Sequence, residues 1–127
     1  NHLMLGHLME WFYSGLAGIR QAAGGIAFNK IEIRPEVVGD VTYVNANYQS
    51  PYGNISSNWK KGKDSFELNI VIPANTTATV YLPVSKTAGL TVNGRRISHR
   101  KDIKFKGYQD GKMELAIGSG SYNFIAK

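Results

Sequence analysis

The stretch Ser65–Pro73, SFELNIVIP, constrains this chain most. Phe66, Leu68, Ile70 and Ile72 fall on alternate positions, the period of a strand with one buried and one wet face. The same period recurs on both sides of it. FNKIEIRP puts Phe28, Ile31 and Ile33 near or in a strand, with Lys30, Glu32 and Arg34 on the face opposite the two isoleucines. VTYVNANYQSP alternates through Val44, Ala46 and Tyr48, and GNISSNWKKG through Ile55, Ser57 and Trp59. KKGKD, residues 60–64, reads as the hairpin connection between two of these strands. TATVYLP, LTVNG with its Asn93-Gly94 turn signal, MELAIGS and SYNFIAK follow. Their inward candidates are Met113, Leu115 and Ile117, then Tyr122, Phe124 and Ala126. All four prolines stand at expected strand ends, where a missing N–H does least harm. The pattern predicts a mainly β fold: an antiparallel β-sandwich of jelly-roll or Greek-key type with about eight or nine strands.

The opening is different. From Leu3 to Ile19 the residues follow a helical period and are apolar on almost every side. Leu5, Leu8, Phe12, Leu16 and Ile19 form one stripe; Met4, Trp11, Gly15 and Gly18 form a second. His7, Glu10 and Ser14 make a narrow polar strip. His7 and Glu10 read better as a hydrogen-bonded pair than as metal ligands, because two ligands fall short of a site and HExxH is absent. The segment has no basic start for a signal peptide, and Glu10 disfavours a membrane span. A helix buried inside a larger helical protein fits best, with Gly24 and Gly25 as its cap and hinge.

The 127 residues are long enough for one real core. There is no cysteine, which removes disulfides and thiol chemistry. Asn1 is not Met, so a piece of a longer protein is expected. Net charge is +6, and six of the twelve residues from Arg95 to Lys106, RRISHRKDIKFK, are Lys or Arg. A polyanion patch is one reading. The solvated face of a hairpin, with Ile97, Ile103 and Phe105 turned inward, is preferred, since no nucleic-acid motif accompanies the run. No GxSxG, P-loop, GxGxxG or metal-spaced histidine cluster occurs. Glu32, between Lys30 and Arg34, reads as surface charge pairing.

IEIRP, YQSPYGNISSNWKK and IPANTTATVYLP, in this order, resemble the C-terminal portion of bacterial α-L-rhamnosidases, glycoside hydrolase family seventy-eight. The opening residues NH, Gly6, Glu10-Trp11 and Ala17–Ile19 resemble that family's last barrel helix. The resemblance implies that residues 1–22 are the final helix of an (α/α)6 catalytic barrel and residues 23–127 a C-terminal β-sandwich that packs on it and stabilises it. Leu3, and RQAAGGIAF after the helix, depart from the family's usual look.

The implied activity is inverting hydrolysis of terminal α-L-rhamnosides by the parent enzyme. Inversion needs one carboxylic acid and one carboxylate. The resemblance places both upstream of Asn1, so no catalytic residue is expected in this chain, and the fragment alone is expected to be inactive. His2 corresponds to a histidine of the sugar pocket, a substrate contact in the parent enzyme only; in the isolated chain it is a terminal residue without a role. No metal and no cofactor is implied. The implied partners are rhamnose-containing glycans, through the parent enzyme, and the upstream barrel, with no nucleic acid and no membrane. The bare Leu5, Leu8, Phe12 and Leu16 face can drive self-association of the fragment. A periplasmic or secreted bacterial location is favoured over the cytoplasm. The alternative is a carbohydrate-binding module using Tyr48, Tyr52, Trp59 and Tyr108 as a stacking surface.

Overall fold

The computed structural model describes residues 18–22, 29–37, 39–84 and 89–127. Eleven strands lie among them: β1 (Ile19–Gln21), β2 (Lys30–Ile33), β3 (Tyr43–Ser50), β4 (Gly53–Lys61), β5 (Phe66–Ile72), β6 (Thr77–Leu82), β7 (Leu90–Val92), β8 (Arg95–Arg96), β9 (Lys104–Gln109), β10 (Lys112–Ile117) and β11 (Gly120–Ala126). They form two sheets, a five-stranded one in the order β1-β2-β6-β10-β9 and a six-stranded one in the order β3-β4-β5-β11-β7-β8. The chain changes sheet repeatedly, so both sheets depend on pairings between distant segments.

The period-2 residues explain the layering. Ile31, Ile33, Val80, Leu82, Met113 and Leu115 of the first sheet are almost fully buried, as are Ile55, Trp59, Leu68, Ile70, Val92 and Phe124 of the second. They form one hydrophobic cluster, and each large side chain in it contributes about 1.5–3 kcal/mol by leaving water. Trp59 stacks on Phe66 with ring centroids 5.9 Å apart. Tyr48 and Ala126 are partly buried against the same cluster. The Asn93-Gly94 turn has φ of 52° and 82° and joins Val92 to its partner Arg95, the conformation that Asn-Gly favours in a two-residue hairpin.

Four expectations need correction. The helical reading of Leu3–Ile19 fails at its end. Ile19 is 2% exposed and pairs with Ile33, so the last residue given to the helix is a strand residue of the five-stranded sheet. An apolar residue near a segment end suits a helical stripe and a strand equally, and the free edge of β2 supplies the strand partner. Residues 3–17, with the helix assigned to them, lie outside the described residues, as do Gly24, Gly25 and Phe28. The sheets are also not wholly antiparallel, because β2 runs parallel to β6. There are more strands than eight or nine, since short pieces such as β8 carry no periodic signal.

The last correction concerns Arg95–Lys106. It is not one hairpin. It leaves the six-stranded sheet at β8, passes through a 3-10 turn at Ile97–His99, and enters the five-stranded sheet as β9. Ile103 is buried and Ile97 packs on the core, but Phe105 is half exposed. A register shift opposite Glu114 and Leu115 interrupts the β9–β10 ladder beside it, and β9 is the outermost strand. Both strands of the basic run are therefore sheet edges. Exposed Arg95, Arg96, Lys104 and Lys106 place charge on edges that would otherwise invite another strand to pair.

Candidate functional site

Catalysis by paired carboxylates can be tested residue by residue. Glu32 pairs with Arg20 across β1 and β2 at 3.5 Å, rather than with its neighbours Lys30 and Arg34. Glu36 accepts from Lys112 at 3.0 Å, and Glu67 accepts from Asn123 at 2.8 Å. Asp102 takes two bonds from Arg100, at 2.9 and 2.8 Å, which hold its carboxyl below the usual carboxylate range. A general acid needs the opposite shift. Two of the depressions on the described surface have volumes of about 440 and 490 Å³. Among the described residues each is lined by one acidic side chain, Asp64 in the first and Asp102 in the second, where glycoside hydrolysis by carboxylates needs two. Among the described residues no group of three or more His, Cys, Asp or Glu is placed to hold a metal ion. His2, His7 and Glu10 lie outside the described residues.

The four aromatics considered as a sugar platform do not come together. Trp59 is 1% exposed, in the core beneath β4. Tyr48 faces inward on β3, and Tyr52 sits in the turn before β4. Tyr108 is on β9 of the other sheet, edge-on to Phe105 with centroids 5.4 Å apart.

Two other places are more developed. The first is the corner where β1 begins. Gly18 has φ +77°, and a Cβ there would collide with the Arg34 carbonyl and lie 2.7 Å from the Pro35 nitrogen. The Arg34 N–H donates to the Gly18 carbonyl at 2.7 Å. The Arg34 guanidinium lies 3.8 Å from the Tyr81 ring centroid, a cation–π contact. Its Nε is buried without a hydrogen-bond partner. Tyr81 is on the outward side of β6 yet only 8% exposed, and burial, helped by Glu114 and Glu32, pushes its phenol pKa up. The corner is thus a covered, well-fixed patch on the outside of the five-stranded sheet.

The second is a row of asparagines across the outside of the six-stranded sheet. Asn45 pairs with Asn58, Asn58 with Asn69, and Asn69 with Asn123. Asn93 extends the row: its backbone N–H donates to the Asn123 carbonyl at 2.9 Å, and its Oδ1 accepts from the Asn123 N–H at 2.7 Å. The amides also bond to each other, Asn123 Nδ2 donating to Asn69 Oδ1 at 2.6 Å. Neither place was legible beforehand. The row needs the strand registers, and the Gly18 corner needs β1.

A family model, the bacterial alpha-L-rhamnosidase C-terminal domain, matches residues 18–96. An alpha-L-rhamnosidase of Streptomyces avermitilis is 33% identical over 124 residues, covering 98% of this chain and 11% of that protein. One from Formosa agariphila is 29% identical over 127 residues, covering 100% of this chain and 14% of that protein. In three dimensions the chain resembles the crystal structure of the Streptomyces avermitilis α-L-rhamnosidase complexed with L-rhamnose, with TM-score 0.82 and 31% identity over 100% of this chain and 11% of that one. It also resembles the α-L-rhamnosidase of Dictyoglumus thermophilum, with TM-score 0.78 and 31% identity over 98% of this chain and 14% of that one. The chain spans only 11% to 14% of the length of these relatives. The family match starts at Gly18, where β1 is fastened to Arg34, and on sequence and fold together this chain belongs to the family of bacterial alpha-L-rhamnosidase C-terminal domains.

Proposed function

We propose that this chain is the non-catalytic C-terminal portion of an α-L-rhamnosidase, and that its sandwich packs on and stabilises an upstream catalytic barrel. The observation that carries this reading is the family match over residues 18–96 in a chain that accounts for 11% to 14% of the length of relatives named as rhamnosidases. The residues ahead of Gly18 then belong to the barrel as its last helix, and the division between the two units lies before β1. His2 contacts the sugar in the assembled enzyme. The catalytic carboxylates lie outside this chain, which agrees with the engagement of Glu32, Glu36, Glu67 and Asp102 by cations and amides. The covered Arg34–Tyr81 patch beside Gly18 is suited to lie at the interdomain contact.

The test compares the intact enzyme, the enzyme ended before Gly18, and the 127-residue chain alone. Hydrolysis of an aryl α-L-rhamnoside is expected from the intact enzyme and not from this chain. The shortened enzyme is expected to unfold at a lower temperature. Hydrolysis by the isolated chain, or an unchanged melting temperature on removing the sandwich, would sink the proposal.

A further inference from the structure

We infer that the asparagine row on the outside of the six-stranded sheet is a binding face for a neutral oligosaccharide. Asparagine is depleted in strands, and threonine or valine at the same outward positions would suit the pleat better. Yet Asn45, Asn58, Asn69 and Asn123 stand in register on four adjacent strands, and Asn93 continues them past the end of β7.

The chemistry of the face selects the ligand. Each amide has two donor hydrogens and two acceptor lone pairs. The bonds at Asn58 are one accepted from the Ala46 N–H and one donated to Ser56, half of that capacity. One flank is uncharged: Asn47, Ser56, Val71 and Ser121 form the next row. On the other flank Lys60 and Glu67 stand opposite each other, and the Glu67 carboxylate accepts from Asn123 Nδ2 at 2.8 Å and from Asn69 Nδ2 at 3.5 Å. In a chain of net charge +6, a polyanion would find its cations at Arg95–Lys106 instead. An apolar partner would find little to bury. A polyol matches, because each hydroxyl both donates and accepts and can meet the two ends of an amide.

The shape agrees. A shallow depression of about 190 Å³ lies on the row, with Asn58, Asn69, Asn93 and Asn123 in its lining. The strands are spaced about 4.8 Å apart, so the five positions span roughly 19 Å, room for a short chain of sugar rings. Tyr43, 63% exposed, stands on the same side of β3 two residues from Asn45 and offers a ring face for stacking at one corner. This site differs from the aromatic platform considered above, and it stands whether or not the sandwich stabilises a barrel.

The experiment is a titration of the 15N-labelled chain with L-rhamnose and with a neutral rhamnose-containing trisaccharide, followed by side-chain and backbone amide shifts. Saturable shifts at Asn58, Asn69 and Asn123 are expected, with the trisaccharide binding more tightly. The double variant Asn69→Thr with Asn123→Thr is expected to weaken binding roughly fivefold to tenfold. Asn45→Thr, on the edge strand, serves if the double variant does not fold, and is expected to weaken binding about twofold to fivefold. The proposal is overturned if no amide moves at about 30 mM sugar, where a Kd of about 10 mM would still show. It is equally overturned if the shifts gather at Phe105 and Tyr108, or if the folded variants bind as the parent does.

Discussion

Replacing Gly18 by alanine probes the corner where β1 is fastened to Arg34. Two costs act together. An L-residue in the left-handed region pays about 1–2 kcal/mol, and Gly18 sits there at φ +77°. The added Cβ would also overlap the Arg34 carbonyl. That carbonyl is backbone and cannot swing aside as a side-chain tip could. The total nevertheless has a ceiling, because β1 can undock. Undocking exposes Ile19, now 2% exposed, at about 1.5–3 kcal/mol. It also releases the bonds from the Arg34 N–H to Gly18 and from the Ala22 N–H to Lys30, at 2.7 and 2.8 Å, each about 1 kcal/mol net. The freed residues regain conformational entropy that offsets much of this. G18A is therefore expected to lose about 1–3 kcal/mol in urea unfolding. Amide exchange should locate the damage: the Arg34 N–H loses protection, while β5 and β11 keep theirs. A loss below about 0.5 kcal/mol with Arg34 still protected would refute the reasoning.

Trp59→Ala removes the largest buried side chain among the described residues and is expected to cost about 3–5 kcal/mol, read from the denaturant midpoint at an unchanged slope. Asn93→Ala removes the side-chain bonds to the Asn123 N–H and the Ser121 carbonyl and leaves alanine at φ 52°, for an expected loss of about 2–3 kcal/mol by thermal unfolding. Asn93→Gly keeps the turn and loses only the bonds, so it should recover about 1 kcal/mol of that loss. Asp102 has its pKa lowered by Arg100. Its contribution is present above the unfolded value of about 3.9 and is lost as pH falls through the lower folded value. Because the pair is partly exposed, Asp102→Asn should cost less than about 1 kcal/mol at pH 7. The gap from the parent protein should close as the medium is taken well below the unfolded value.

What could be read beforehand was the set of faces. Alternation settles which way Phe66, Leu68, Ile70 and Ile72 point, because a strand has only two sides, and all four are buried. Asn93-Gly94 was legible for the same local reason. Asp110-Gly111, which turns β9 into β10 with both φ positive, carries an equally local signal that the reading passed over. Pairing between distant segments was not legible. Nothing in KIEI says that β2 runs parallel to β6, or that Ile19 completes its other edge. The asparagines were visible one at a time, but the row exists only once four registers are combined. Phe105 has the alternation of an inward residue and was misread because its exposure depends on a ladder irregularity and an edge position.

The place of β11 bears on how such a domain is made. It lies inside the six-stranded sheet, bonded along seven positions to β5 and along three to β7, and the other described strands are all synthesised before it. Until β11 arrives, β5 and β7 present open edges and the Trp59 side of the core lacks Tyr122 and Phe124. Folding on the ribosome can then collect partial sheets but cannot close the sandwich. Losing β11 would remove the middle of a sheet rather than trim its margin, so chains that stop short of β11 cannot yield a sealed domain.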